Sequence, residues 1–348
     1  MAGRPTMNDV ARAAGVSKNT VSLALRHSPQ IPVKTRERIL RLARRMGYSL
    51  NPTVACLMAE LRRSRQPGSQ AGLALVNANL DRRAFREHPT IPSYVSGCRR
   101  RASELGYFTD DFWLHEPGLS GAALVRRLRA RNLRGIVLVG LMHDNRLPDD
   151  FRAVWEQFPT VVTGVRTQNP ALPFAASDHH MLLRGAVEEC LRAGRRRPGL
   201  VIDRHIDRLV EGRFRAGFAA AQGVLRVADR LPPFLFVADD AQRWTKFREW
   251  FTRRRPDVLL SLYHDVEGPV RTMGLRVPED VGLVQLEWRP DHPHWAGMDQ
   301  HNDITGEAAV EMVTSMIQNG YHGVPAFPRA TFIGSTWRPG ATLDAVSV

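Results

Sequence analysis

The chain has 348 residues, with 49 Lys and Arg against 35 Asp and Glu, for a formal net charge of +14. Its 43% hydrophobic content is enough to bury a sizeable core, which excludes a disordered or low-complexity chain. No apolar run is long enough to span a bilayer, and Cys56, Cys98 and Cys190 form neither a disulfide framework nor a metal-ligand spacing. With no signal peptide opening the sequence, the expected location is the cytoplasm. The positive charge is concentrated. Residues 1–65 hold thirteen Lys and Arg against three Asp and Glu, while the remainder is nearly balanced. Such a basic segment attracts phosphates by releasing condensed counterions.

The first predicted elements are three short helices within a headpiece spanning 1–52. Val10, Ala11 and Ala14 share one face of the first helix. Gly15 falls where that helix must stop and turn, a position that favours positive φ. Val16 can bury between helices, and Ser17 is a good N-cap for a second helix, its hydroxyl within reach of the Thr20 amide. In that helix Val21, Ala24 and Leu25 turn inward, leaving Lys18, Asn19, Ser22, Leu23 and Arg26 outward. A third helix is expected from Pro32 to Met46, apolar at Ile39, Leu42, Ala43 and Met46. Proline is acceptable in a first helical turn.

A hinge and linker occupy 53–70. Val54, Leu57, Met58 and Leu61 lie at i, i+3, i+4 and i+7 of a short helix, and 62–70 is basic, then rich in Gly, Ser and Gln. From 71 to 340, apolar runs alternate with helical patterns. Strands are expected over 71–77, 135–140, 160–165, 199–203, 235–237, 257–262 and 282–286. Helices are expected over 93–105, 181–193, 213–222 and 305–317. Alternating β and α elements imply parallel sheets covered by helices.

Several segments carry a more specific signal: Asn8-Asp9-Val10-Ala11, Ala14-Gly15-Val16-Ser17, Thr20-Val21-Ser22, Thr35-Arg36-Glu37-Arg38-Ile39, Gly47-Tyr48 and Asn51-Pro52. Together they resemble the DNA-binding headpiece of the lactose-repressor (LacI/GalR) family of bacterial transcriptional regulators. Gly106-Tyr107, Arg134-Gly135-Ile136 and Gly274-Leu275-Arg276-Val277-Pro278 resemble that family's ligand-sensing domain. The resemblance implies an all-α helix-turn-helix headpiece followed by a periplasmic-binding-protein-like domain of two parallel-sheet α/β subdomains. Crossings between the subdomains are expected near 163–165, 298–302 and 327–333. It further implies a sequence-specific regulator of the repressor type rather than an enzyme. Such a protein binds a palindromic operator in double-stranded DNA as a homodimer, and a small metabolite such as a sugar modulates it, with no cofactor, metal or membrane.

Phosphate contacts position such a protein and base-edge contacts give specificity. Ser17, Thr20, Ser22 and Arg26 are candidates for the first role. The resemblance gives the second to Lys18 and Asn19: Lys can donate to guanine and Asn can pair with adenine through two hydrogen bonds. Leu23 stands where most relatives carry Arg, so the preferred operator should differ at that step. Leu57 corresponds to the leucine that wedges into the minor groove in the family. The same stripe can instead pack two protomers together, and both readings stay open.

For the effector, the resemblance points to Asn77 at the end of the first strand. Arg213 or Arg215 stands near the family's single ligand-gripping arginine, and the register leaves both open. His264-Asp265 and Glu287-Trp288 replace segments that contact ligand in relatives. Trp288 can stack on a sugar face and Glu287 can hold hydroxyls. Each of these is also compatible with an ordinary core or rim position. Asp299 and Gln300 fall at an expected crossing strand, where they can transmit cleft closure instead of binding ligand.

An enzyme or an intracellular solute-binding module of the same α/β fold is the alternative. The sequence has no P-loop, no G-x-G-x-x-G after a strand and no G-x-S-x-G elbow. His179-His180 and Asp291-His292-Pro293-His294 lack a third ligand at metal spacing. Asp110-Asp111 and Asp239-Asp240 are adjacent, and neighbours in a strand face opposite ways.

Overall fold

The structure, a computed structural model, describes residues 5–25, 31–48, 70–262, 264–321 and 323–343. Three helices come first: α1 (Met7–Ala14), α2 (Lys18–Leu25) and α3 (Val33–Arg45). Their shared core is made of Val10, Ala11, Ala14, Val21, Ala24, Ile39 and Ala43. Mostly small side chains let the helix axes approach closely. α1 opens with a reciprocal cap, in which the Thr6 hydroxyl accepts from the Asp9 amide and the Thr6 amide donates to the Asp9 carboxylate at 2.9 Å. It ends at Gly15 with φ 64°, the left-handed conformation that glycine adopts without steric cost. α3 starts after Pro32, which gives no side-chain cap and lies just outside the helix, not within its first turn; its carbonyl accepts from the Arg36 amide at 2.9 Å.

The rest of the described chain builds two six-stranded sheets. The first runs β11 (Ala330–Ile333), β5 (Phe174–Ser177), β4 (Thr160–Thr163), β3 (Leu133–Val139), β1 (Gly72–Asn77), β2 (Phe108–Trp113), all parallel. The second runs β12 (Thr336–Arg338), β10 (Ala296–Asp299), β9 (Gly282–Gln285), β8 (Val258–Ser261), β6 (Pro198–Asp203), β7 (Phe234–Phe236), with β12 alone antiparallel. Central strands such as β1, β3, β6 and β8 are buried on both faces and read as continuous Leu, Val and Ile runs, as parallel sheets require. The covering helices include α4 (Ile91–Glu104), α5 (Gly121–Ala130), α6 (His179–Arg192), α7 (Arg204–Leu209), α8 (Arg213–Ala221), α9 (Arg243–Arg254) and α10 (Asn302–Gln318).

The chain passes between the sheets three times. The first passage follows β5, at Asp178, and not 163–165 as expected. β4 is followed in the same sheet by β5, whose Phe-Ala-Ala-Ser sequence is too short and too small to announce a strand. The second passage, at Gln300 and His301, falls where expected. The third, at Gly334 and Ser335, lies just beyond the expected 327–333, because β11 occupies Ala330–Ile333. After the second passage α10 packs against α4 and the first sheet. A Cβ at Gly97 would lie 1.8 Å from the Asp303 carbonyl oxygen, and one at Gly306 would lie 2.1 Å from that of Tyr94. Only glycine allows so close a crossing, which fixes where α10 begins.

Candidate functional site

The exposed start of α2 in the headpiece is built by a cap and a turn. Ser17 Oγ accepts from the Thr20 amide at 3.1 Å and shares a 2.8 Å hydrogen bond with the Thr20 hydroxyl. This cap satisfies a free amide and sets where α2 starts. Val21 and Ala24 are buried beneath it, so Ser17, Lys18 and Asn19 are exposed, while Thr20, Ser22 and Leu23 are half-buried. The first turn of α2 thus presents an ammonium, an amide and hydroxyl groups. Arg26, Leu57 and the candidate hinge helix lie outside the described residues.

A second set of groups gathers where the two subdomains meet. Asn145 Nδ2 donates to the Leu209 carbonyl at 2.9 Å, and His205 Nε2 donates to the Met142 carbonyl at 3.0 Å. Arg166 pairs with Glu211 at 3.5 Å. At the passages, Ser177 Oγ donates to the Gln300 carbonyl at 3.3 Å, and His301 Nε2 shares a 2.9 Å hydrogen bond with Thr336 Oγ1. His301 has φ 51°, an uncommon conformation for a residue with a Cβ.

Arg213, at the start of α8, reaches this junction. Its guanidinium lies 4.9 Å from the Phe332 ring centroid and 5.4 Å from that of Phe174, and it bonds Glu211 at 3.2 Å. Its Nη1 is buried without a hydrogen-bond partner. Beside it His179 is buried against Phe214, 4.4 Å between ring centroids. Burial first, and then the Arg213 charge, push the His179 imidazole down to about 3, so it is neutral near pH 7. Arg215 instead points to Asp207, a buried carboxylate that it hydrogen-bonds.

Glu287 follows β9 and accepts from Asn302 Nδ2 at 3.0 Å and from Arg289 at 3.4 Å. The Asn302 Oδ1 and Arg289 Nε atoms are buried and unpartnered. Trp288 donates its indole N–H to the Trp295 carbonyl at 3.1 Å, with Arg338 over its ring at 5.4 Å. Asp265 pairs with Arg243 at 2.8 Å. His264 lies in the adjoining turn, and its side chain lies outside the described residues. Asn77 is buried, and its amide donates to the Asp81 and Arg82 carbonyls while its oxygen accepts from the Asn79 amide. Of the sequence candidates, then, Arg213 and Glu287 reach the subdomain junction, whereas Asn77, Arg215 and Asp265 are held by other partners.

Sequence reasoning missed Arg289 and Asn302, and it weighed His179 only as a metal ligand. A usable signal existed for Asn302. It ends an Asp-Gln-His-Asn run between an apolar strand and a helical pattern. No local signal marks His179 as buried. Cys98 is also buried, and burial pushes its thiol up to about 12, which makes it unreactive. Asp110 and Asp111 turn to different partners, Arg131 and Arg99, each at 2.5 Å, and do not converge.

Residues 6–51 match the family described as bacterial regulatory proteins, lacI family. The chain is 30% identical over 225 residues to an uncharacterized HTH-type transcriptional regulator in the aml 5' region of Streptomyces limosus, covering 62% of this chain and 58% of that protein. It is 28% identical over 182 residues to the sucrose operon repressor of Klebsiella pneumoniae, covering 50% and 48%. The matches thus span about half the length of these curated relatives. Among solved structures, the fold is that of the transcriptional regulator CelR in complex with cellobiose (TM-score 0.59, 20% identity, 97% of this chain and 100% of that one). It is also that of the lac repressor dimer bound to operator and an anti-inducer (TM-score 0.57, 19% identity, 99% and 100%).

Proposed function

We propose that this chain, a member of the lacI family of bacterial regulatory proteins by its headpiece, is a sequence-specific DNA-binding transcriptional regulator of the repressor type. The observation that carries this reading is the exposed Lys18-Asn19 pair at the start of a helix capped by Ser17 and backed by a compact three-helix core. One headpiece makes few contacts. Two related by a dyad would read a palindrome with half-sites about one helical turn apart. We assign base reading to Lys18, Asn19 and Leu23, phosphate contacts to Ser17, Thr20, Ser22 and Arg26, and minor-groove insertion to Leu57.

The subdomain junction is the proposed effector site, for a small polar metabolite of the sugar class. Arg213 and Glu287 are its gripping residues: Arg213 carries a buried unpartnered Nη1, and Glu287 bonds Asn302 and Arg289, each of which carries a buried unpartnered atom. Buried polar atoms without partners are costly, and hydroxyl groups of a ligand would satisfy them. Effector binding would change the relation of the subdomains at the three passages and so the DNA affinity, by about 5- to 150-fold for ordinary coupling.

Selection of bound duplexes from a random pool tests the reading. The expected result is a palindromic consensus whose preferred bases change in Asn19→Ala and in Leu23→Arg. A pool that shows no enrichment, or a consensus unchanged in both variants, contradicts it.

A further inference from the structure

The first sheet ends at β2, on the edge away from β5 and β11, where the chain passes to the second subdomain. Outside the carboxyl ends of β1 and β2 lies an open cavity of about 590 Å³. Five arginines line it, Arg82, Arg83, Arg86, Arg127 and Arg131, against two carboxylates, and the Trp113 ring forms part of the wall. Both carboxylates are engaged: Glu116 by Arg127 at 2.9 Å, and Asp111 by Arg99, outside the cavity, at 2.5 Å. Arg131 turns to Asp110, and Arg83 is shared between Asp81 and Glu87. Arg82 and Arg86 are exposed and have no ion-pair partner among the described residues.

The loop carrying these two arginines is held rigidly. The Asn77 amide clamps the Asp81 and Arg82 carbonyls at 3.0 and 3.2 Å. Asn79 Oδ1 accepts from the Asp81 amide and Asp81 Oδ1 from the Arg83 amide, each at 2.9 Å. Trp113 is pinned by its indole N–H on the Asn79 carbonyl at 3.0 Å, and the Arg82 guanidinium lies 6.0 Å from its ring centroid. A guanidinium fork matches phosphate oxygens, and an indole face takes a sugar or base ring. The volume is within the range of metabolite pockets, roughly 300–1,000 Å³, and parallel sheets bind ligands beyond their carboxyl ends. A loop ordered beforehand lowers the cost of binding.

We propose that this cavity binds a phosphorylated metabolite containing a ring, its phosphate held by Arg82 and Arg86 and its ring on Trp113. Its lining includes none of the residues assigned to the effector junction, Arg213, Glu287, Arg289 and Asn302.

Titration calorimetry on the full chain tests the proposal with AMP, glucose 6-phosphate, adenosine and glucose. At least one phosphate ester should bind at least tenfold more tightly than its unphosphorylated counterpart. A preference for AMP identifies a nucleotide ligand and a preference for glucose 6-phosphate a sugar phosphate; both support the site. The Arg82→Ala/Arg86→Ala double variant should lose that binding by tenfold or more, with the unliganded Tm and DNA retention unchanged. Absence of binding by either ester, or equal binding by the double variant, overturns the proposal.

Discussion

The headpiece and the α/β region solve the folding problem at different scales. The headpiece encloses a small core, with Ile39 its largest fully buried side chain, and relies on turn chemistry at Thr6, Gly15 and Ser17. The two subdomains bury Trp155, Trp295, Phe174, Phe214, Phe218 and Phe247 almost completely. Local interactions therefore govern the part proposed to read DNA, while long-range packing governs the part proposed to control it.

Truncating one buried side chain in each region separates the two most sharply. Phe218→Ala should destabilise the α/β region by about 3–5 kcal/mol, and Ile39→Ala should destabilise the headpiece by about 2–5 kcal/mol. In the larger region Phe218→Ala should lower the calorimetric Tm with DNA retention preserved below it. In the headpiece Ile39→Ala should abolish DNA retention and leave the main transition in place. Equal effects of both variants on both readouts would show that the regions are not independent.

A pH series sharpens the contrast, because His179 belongs to the α/β region alone. Its folded-state pKa of about 3 lies below the ordinary value of 6.5. The unfolded chain therefore takes up a proton that the folded one refuses. The neutral folded state has its full stability above pH 6.5 and loses up to about 1.4 kcal/mol per pH unit as pH falls from 6.5 toward 3. His179→Gln should flatten that part of the profile in thermal melts, and an unchanged slope would contradict the burial described. Smallest is the cap: Ser17→Ala should cost the headpiece about 1 kcal/mol, seen as weaker protection of the α2 amides in hydrogen exchange.

The sequence was most readable where structure is local. Gly15 and Ser17 act on neighbours in the chain, so their roles follow from residue type and spacing. The central strands are legible as runs of Leu, Val and Ile. β5 is not, because Ala175 and Ala176 are buried between β4 and the sequence-distant β11 and carry no periodic signal. The first passage between subdomains was consequently expected too early. Arg213 and Arg215 lie on one helical turn and could be told apart only by their partners, Glu211 with the Phe174 and Phe332 rings in one case, Asp207 in the other. Asn77 ends a strand, as ligand-binding residues often do, yet its amide holds the following loop.

The most direct measurement is the affinity of the full chain for a selected duplex across a salt series, set beside the same chain lacking residues 1–65. The expected result is a linear fall of log K with log salt, with a slope of about −0.9 per phosphate neutralised, lost entirely on deletion. Failure of the intact chain to prefer that duplex over random DNA at low salt, with or without metabolites, would contradict the assignment of DNA reading to this headpiece.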